Sequence, residues 1–228
     1  MDTFSQWFSQ LQWENLLELL ISALSCVVCI VLHELCHGLA ALLMGDDTAR
    51  RAGRLSLNPL KHIDPVGLVL LFTVHFGWAK PVPVNCRRFK NPKLGMALTA
   101  LAGPLGNLLL ACLFTMCYAV CAFWHQHSGF EGAYYWAVFF LTTVNLSVGL
   151  AVFNLLPIPP LDGSKILFSV LPANWYGKLM RYELYGMILL VALLYLRILD
   201  TPLRFLRGGI LNGILSVFGE PIVRLLIG

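Results

Sequence analysis

The chain has 228 residues, of which 58% are hydrophobic and only 12% are charged. A soluble globular domain carries about 25% charged residues. The composition therefore indicates a membrane protein and excludes a nucleic-acid-binding protein, a secreted disulfide scaffold and a disordered chain. Charge is unevenly distributed, because residues 1–49 contain no Lys or Arg and nine of the sixteen basic residues lie in 50–93. The positive-inside rule then places 50–93 on the cytoplasmic side.

Four apolar segments are predicted to form membrane-spanning helices. A span needs about 20 apolar residues, and the segments at about 17–44, 94–124 and 132–156 meet that length. A shorter segment at 183–199 spans if the charged side chains at its ends reach the interface. The charges then predict a multi-pass protein of the cell membrane with its N-terminus outside.

Two further segments are too short or too polar to span. Residues 65–85 join a short apolar run to a Val- and Pro-rich stretch, which predicts an extended loop that enters the membrane and returns. Such a backbone is tolerated where protein or a water-filled cavity satisfies its polar groups. The segment 201–228 contains three Arg and several Gly, which indicates an interfacial tail. The expected fold is one all-α polytopic domain over 1–200, followed by this tail.

His33-Glu34-Leu35-Cys36-His37 forms an H-E-x-x-H motif within the first predicted helix. The i, i+4 spacing puts both imidazoles on one helix face, where they can bind one metal ion with Glu34 beside a bound water. In a soluble protein such a short match could arise by chance. Inside a membrane helix each ionisable residue costs roughly 2.5 kcal/mol or more, so three within five residues favour a metal site. A catalytic zinc normally has three protein ligands, and the third must come from elsewhere.

Asp162 is the candidate for that third ligand. It follows the proline-rich stretch 154–161 at the inner end of the third predicted helix, the side towards which His37 points. The prolines must break or unwind a helix there, and Gly163 permits a close turn behind the carboxylate. The alternative is a helix cap, since Gly163-Ser164-Lys165 could begin another helix. The residues by themselves leave both interpretations open.

The two motifs, in this order and in a membrane context, resemble those of the site-2 protease family of intramembrane zinc metalloproteases. The similarity extends to Leu101-Ala102-Gly103-Pro104-Leu105-Gly106-Asn107, which is similar to the family's G-P-x-x-N segment, and to 57–65 and 77–85, which resemble the short members without a PDZ or CBS domain. The resemblance implies one Zn²⁺ per chain, bound by His33, His37 and Asp162, with Glu34 as the general base. It also implies a β-type re-entrant loop at 65–85 and four substrate-binding residues: Asn107, Asn154, Pro157 and Pro159.

The function that this resemblance implies is hydrolysis of peptide bonds within or near transmembrane segments, in regulated intramembrane proteolysis. The expected partners are the lipid bilayer and a membrane-protein substrate with a transmembrane helix. Zinc would lower the pKa of a water from about 15.7 towards roughly 7, and Glu34 would pass its proton to the leaving amine. An extended edge near 82–85 would hold the unwound substrate by β-addition. The alternative is a catalytically inactive metal-binding membrane protein or a metal carrier, neither of which needs Glu34.

Overall fold

A computed structural model describes residues 13–64, 67, 79–171 and 183–227. Nearly all of the regular structure in these ranges is helical, and the ranges contain no β-strand. The helices are α1 (Trp13–Leu43), α2 (Thr48–Arg51), α3 (Pro92–Ser128), α4 (Glu131–Asn154), α5 (Asp162–Val170), α6 (Glu183–Tyr195), α7 (Asp200–Ile214) and α8 (Glu220–Ile227). A π-helical turn, Leu215–Gly219, joins α7 to α8. Short 3₁₀ helices lie at Pro59–Lys61 and Cys86–Arg88.

Four helices in the described part of the chain are long and apolar enough to cross a membrane: Leu16–Leu43, Pro92–Ser128, Glu131–Asn154 and Asp200–Ile227. The first three coincide with predicted spans. The fourth lies in the segment for which the sequence indicated an interfacial tail. The Arg and Gly residues of that segment do not interrupt its helix. The predicted span at 183–199 is only a 13-residue helix, which ends before Arg197, a residue with a left-handed φ of 58°.

The described residues do not support the β-type structure predicted for 65–85. Residues 65, 66 and 68–78 lie outside the described ranges. The segment Lys80–Asn85 forms no strand, and the backbone pairing next to it is one isolated antiparallel bridge between Ile63 and Ala79. Pro81 and Pro83 explain this difference, because proline has no N–H to donate to a neighbouring strand.

Helix α3 is central and packs against α4, α1 and α5. Small and β-branched side chains, among them Ala111, Val144 and Val148, form the apolar core between α3 and α4, and small residues allow membrane helices to approach closely. Polar contacts also join the helices. The hydroxyls of Ser25 on α1 and Thr143 on α4 lie 2.9 Å apart. This packing brings the polar face of α1 against α3.

Candidate active site

Three buried side-chain atoms that could ligate a metal ion converge from α1 and α5. The Oδ2 atom of Asp162 lies 3.1 Å from Nε2 of His33 and 3.0 Å from Nε2 of His37, and the two Nε2 atoms are 3.0 Å apart. All three residues are less than 9% exposed. Within the described ranges they are the one group of His, Cys, Asp or Glu residues placed to hold a metal ion.

The donor set fits a zinc ion. Tetrahedral zinc with ligand bonds of about 2.0–2.2 Å separates its ligand atoms by about 3.4 Å, a few tenths of an ångström more than the distances found here. Two imidazoles and one carboxylate are ligands that zinc accepts, and three protein ligands is the usual number in a catalytic site. A cation would also offset the mutual repulsion of the lone pairs that meet at this point.

The carboxylate of Asp162 does not cap α5. The capping position belongs to Leu161, and no side-chain hydrogen bond closes this end of the helix. Instead, Oδ2 of Asp162 faces the histidines and Oδ1 accepts a hydrogen bond of 3.1 Å from Nζ of Lys165. Burial by itself raises the pKa of Asp162, but contacts with His33, His37 and Lys165 hold it well below its usual value. These contacts favour the carboxylate form of Asp162, which is the form that can bind a metal ion.

A tight proline-rich turn delivers Asp162 to the histidines. Helix α4 ends at Asn154, and α5 begins at Asp162 after three prolines that cannot continue a helix. Behind the carboxylate, a Cβ atom at Gly163 would overlap the main-chain atoms of Leu155 and Leu156. Only glycine fits this turn, so Gly163 allows the chain to fold back and bring Asp162 to the histidines.

Helix α3 supports the histidines from behind. A Cβ atom at Gly103 would overlap the imidazoles of both His37 and His33, so only glycine allows α3 to approach α1 this closely. One turn earlier, the main-chain carbonyl of Thr99 lies 2.7 Å from Nδ1 of His37. A carbonyl oxygen only accepts hydrogen bonds. The Nδ1 atom of His37 therefore carries a hydrogen, and in the neutral imidazole Nε2 faces the cluster with its lone pair.

Asn107 follows Gly103 by one helical turn and lies behind His33. Its side chain is completely buried, and its Nδ2 atom is 3.4 Å from Nδ1 of His33. Pro104 lies between Gly103 and Asn107 and lacks the amide that would bond the carbonyl of Ala100 in the same helix. The G-P-x-x-N segment thus supplies space at its glycine and a polar contact at its asparagine.

The side chain of Glu34 is held by the segment Lys80–Asn85. Its Oε2 atom accepts a hydrogen bond of 2.8 Å from the main-chain N–H of Val82. The side chain of Val82 is buried, 7% exposed, beside Gly38 on the next turn of α1. Glu34 and the two histidines therefore share one helix, but the carboxylate of Glu34 is oriented by a loop 48 residues further along the chain.

Two residues that the sequence did not single out fix that loop. Arg54 is 9% exposed, and its guanidinium donates hydrogen bonds of 2.5 and 3.2 Å to the carbonyls of Lys80 and Pro81. Asp46 is fully buried, and its Oδ2 atom accepts a hydrogen bond of 2.6 Å from the N–H of Asn85. Both side chains belong to the polar stretch after α1, where nothing in the sequence distinguishes them from their charged neighbours.

The four predicted substrate-binding residues lie in different surroundings. Asn107 is buried behind His33, as described above. The Nδ2 atom of Asn154 donates a hydrogen bond of 3.0 Å to the carbonyl of Leu150 in its own helix. Pro157 is exposed, and Pro159, joined to the next residue by a cis peptide bond, packs closely against Gly186 of α6. A role of these residues in substrate binding stays a prediction.

Comparison with known proteins identifies the family of the chain. The model of peptidase family M50 matches residues 125–198, a range that includes Asp162. A Bacillus subtilis (strain 168) protein named as a zinc metalloprotease, YwhC, is 40% identical over 171 residues, which cover 73% of this chain and 76% of that protein. The chain belongs to the site-2 protease family, peptidase family M50. The resemblance seen in the motifs is therefore confirmed.

Other M50 relatives are more distant. The Mycolicibacterium smegmatis protein Rip2, also named as a zinc metalloprotease, is 33% identical over 168 residues, 72% of this chain and 62% of that protein. Rip2 of Mycobacterium tuberculosis is 34% identical over 142 residues, 60% of this chain and 52% of that protein. No solved structure matches the chain at a significant level. This M50 protein is a zinc metalloendopeptidase, and its four long apolar helices fit a multi-pass membrane protein.

Proposed function

We propose that the chain is an intramembrane protease that hydrolyses peptide bonds within or near transmembrane segments of membrane proteins, in regulated intramembrane proteolysis. The observation that carries this proposal is the convergence of His33, His37 and Asp162 beside Glu34. Both histidines and Glu34 lie on a helix long and apolar enough to cross a membrane. Bonds at membrane depth would therefore be within reach of the site. The protease would lie in the cell membrane, with 50–93 facing the cytoplasm.

The proposed chemistry uses one Zn²⁺ per chain, held by His33, His37 and Asp162. Bound there, zinc supplies a Lewis acid that acidifies a water molecule and polarises the scissile carbonyl. Glu34 accepts the proton of the attacking water and passes it to the nitrogen of the leaving amine. The hydrogen bond from Val82 holds one oxygen of this carboxylate and so limits its rotation. The other oxygen, Oε1, has no hydrogen-bond partner among the described residues and is free to carry the proton.

The segment Lys80–Asn85 is the proposed binding edge for an unwound substrate. A helical substrate hides its carbonyls in i→i−4 hydrogen bonds, so it must be extended before it can be cut. The N–H and C=O of Val84 make no hydrogen bond within the described part of the chain. In an extended backbone, every second residue directs its N–H and C=O to the same side. The N–H and C=O of Val84 would therefore point to the same side as the N–H of Val82, which bonds Glu34. A substrate strand added there would run beside the base.

The test measures zinc and cleavage together on detergent-purified protein. We expect about one zinc per chain in the wild type and in Glu34→Gln, and little in Asp162→Ala. Cleavage of single-span membrane proteins, reconstituted with the protease in liposomes, should fall about 10²- to 10⁴-fold in Glu34→Gln. Glu220→Gln is the matched control, since Glu220 lies exposed on α8 and pairs with Arg224. A wild type without zinc would contradict the metal site. Full cleavage by Glu34→Gln would contradict the role of Glu34 as the general base and would favour a different role for the site.

A further inference from the structure

The two histidines contact different partners at Nδ1, although both direct Nε2 into the same cluster. His37 meets a carbonyl oxygen, that of Thr99, which can only accept. His33 meets the side-chain amide of Asn107, which can donate through Nδ2 or accept through Oδ1. The tautomer of His37 is therefore set by the main chain, whereas that of His33 depends on which way one amide is turned.

The side-chain amide of Asn107 is the group that faces Nδ1 of His33. A donor at this position would pair with a bare Nδ1 and would leave the hydrogen of His33 on Nε2, the atom that lies 3.1 Å from Asp162. A metal bound at Nε2 requires the opposite tautomer, with the hydrogen on Nδ1 and an acceptor facing it. The Oδ1 atom of Asn107 is such an acceptor. It is buried and has no hydrogen-bond partner within the described residues.

We propose that Asn107 is a positioning residue: when metal is bound, its Oδ1 accepts a hydrogen bond from Nδ1–H of His33 and so fixes Nε2 as the metal ligand. This inference rests on the proposed zinc site and deepens it. It gives the buried asparagine of the G-P-x-x-N segment a contact with the metal ligand itself. The side chain of Asn107 is fully buried.

The surroundings of Asn107 allow the amide to turn without moving its backbone. The hydroxyl of Ser147 on α4 donates a hydrogen bond of 2.8 Å to the main-chain carbonyl of Asn107, which anchors the residue between two helices. Turning the amide exchanges oxygen and nitrogen in nearly the same volume. Lys165 holds the third ligand in a comparable way, through the Oδ1 atom of Asp162. Each of the three ligands thus has one polar partner outside the cluster.

Zinc affinity, measured by competition with a chelator, shows whether the side chain of Asn107 acts as a hydrogen-bond acceptor, as a donor or only by filling space. Asn107→Asp keeps the shape and can only accept, whereas Asn107→Leu keeps a similar volume and can do neither. We expect Asn107→Leu to bind zinc about 10- to 100-fold more weakly than the wild type, the usual cost of losing a partner of a metal-bound histidine. Asn107→Asp should bind within about threefold of the wild type, or more tightly.

Asn145→Leu is the matched control, because Asn145 is a partly buried asparagine on α4 whose contacts are with Leu141 and Arg207. It should leave zinc affinity unchanged. Thermal unfolding of each protein without metal checks that the variants fold. Equal affinity in Asn107→Leu and the wild type would overturn the inference alone. An Asn107→Asp variant as weak as Asn107→Leu would overturn the acceptor role. A wild type that binds no zinc would overturn the metal site and the inference together.

Discussion

The candidate metal-ligand cluster (His33, His37 and Asp162) and the segment Lys80–Asn85 both contact α1, but they are held by different forces. The cluster consists of ionisable side chains packed within 3.1 Å of one another. The segment is an irregular stretch of main chain, hydrogen-bonded to the side chains of Glu34, Asp46 and Arg54. The cluster therefore depends on close packing of helices and on charge, and the segment depends on individual hydrogen-bond partners.

This difference implies that metal binding and cleavage can be separated by mutation. Changes of volume between α1 and α3 should remove the metal and, with it, activity. Changes in the partners of Lys80–Asn85 should leave the metal in place and weaken only the use of Glu34 and the proposed substrate edge. Glu34 is the residue at which the two regions meet, since it lies between the histidines in sequence and bonds to Val82 in space.

Gly103→Ala should have the largest effect, because the added methyl group overlaps both imidazoles. We expect zinc affinity to fall by at least about 100-fold. Alanine has a higher helix propensity than glycine by about 0.8–1.0 kcal/mol, so a general loss of helix does not explain this result. Gly149→Ala on α4 is the control, since a methyl group there meets no atom within 4 Å. Unchanged zinc binding in Gly103→Ala would mean that the helices can separate without losing the site.

Arg54→Met should lower cleavage without lowering zinc content. The buried guanidinium bonds two carbonyls of the segment, and hydrogen bonds to a charged group are worth about 1.5–3 kcal/mol each. We expect cleavage to fall about tenfold or more. Arg51→Met serves as the comparison, because the side chain of Arg51 is 69% exposed and pairs with Asp47 at the surface. Loss of zinc from Arg54→Met would show that the two regions are not independent.

Val84→Pro tests the proposed substrate edge more cleanly than a change at Val82, whose N–H already bonds Glu34. Proline removes one donor, and one hydrogen bond is worth about 1 kcal/mol. Cleavage should therefore fall about fivefold, while zinc content stays at the wild-type value. Val84→Ala keeps the N–H and should cleave at nearly the wild-type rate. Equal cleavage by the proline and alanine variants would rule out β-addition at this residue.

Asp46 should give the smallest effect, visible only in acid. Burial by itself raises the pKa of Asp46, but hydrogen bonds from Thr48 and Asn85 and the charge of Arg88 hold it below its usual value. Such a carboxyl stabilises the fold above its unfolded pKa, near 3.9, and this contribution is lost as the pH falls towards the lower folded value. Below about pH 5, the unfolding temperature of the wild type in detergent should therefore fall more steeply than that of Asp46→Asn. Parallel curves would contradict this role.

Much of the helical architecture could be predicted because each span depends on a local property, a run of apolar residues. The charges of the C-terminal segment indicate an interfacial tail, but they do not show that its helix is long and apolar enough to cross a membrane. In the structure, Arg207 donates a hydrogen bond of 2.9 Å to Asn145 of α4, and the helix runs on through both α7 and α8. The β-type loop was predicted from a resemblance and from Val-rich composition, whereas the described part of that loop is held by side chains instead of a neighbouring strand.

The residue types and the spacing of the candidate site follow from local sequence alone. H-E-x-x-H needs only the pitch of one helix to place two imidazoles and a carboxylate, and the D-G pair after three prolines needs only a local turn. Which groups surround and support these residues depends on how the helices and loops pack together. Asp162 meets His33 across 129 residues, and the loop amide that holds Glu34 comes from 48 residues away. Such contacts depend on how α1, α3 and α5 pack. A motif of neighbouring residues does not show which residues far away in the sequence will lie beside it.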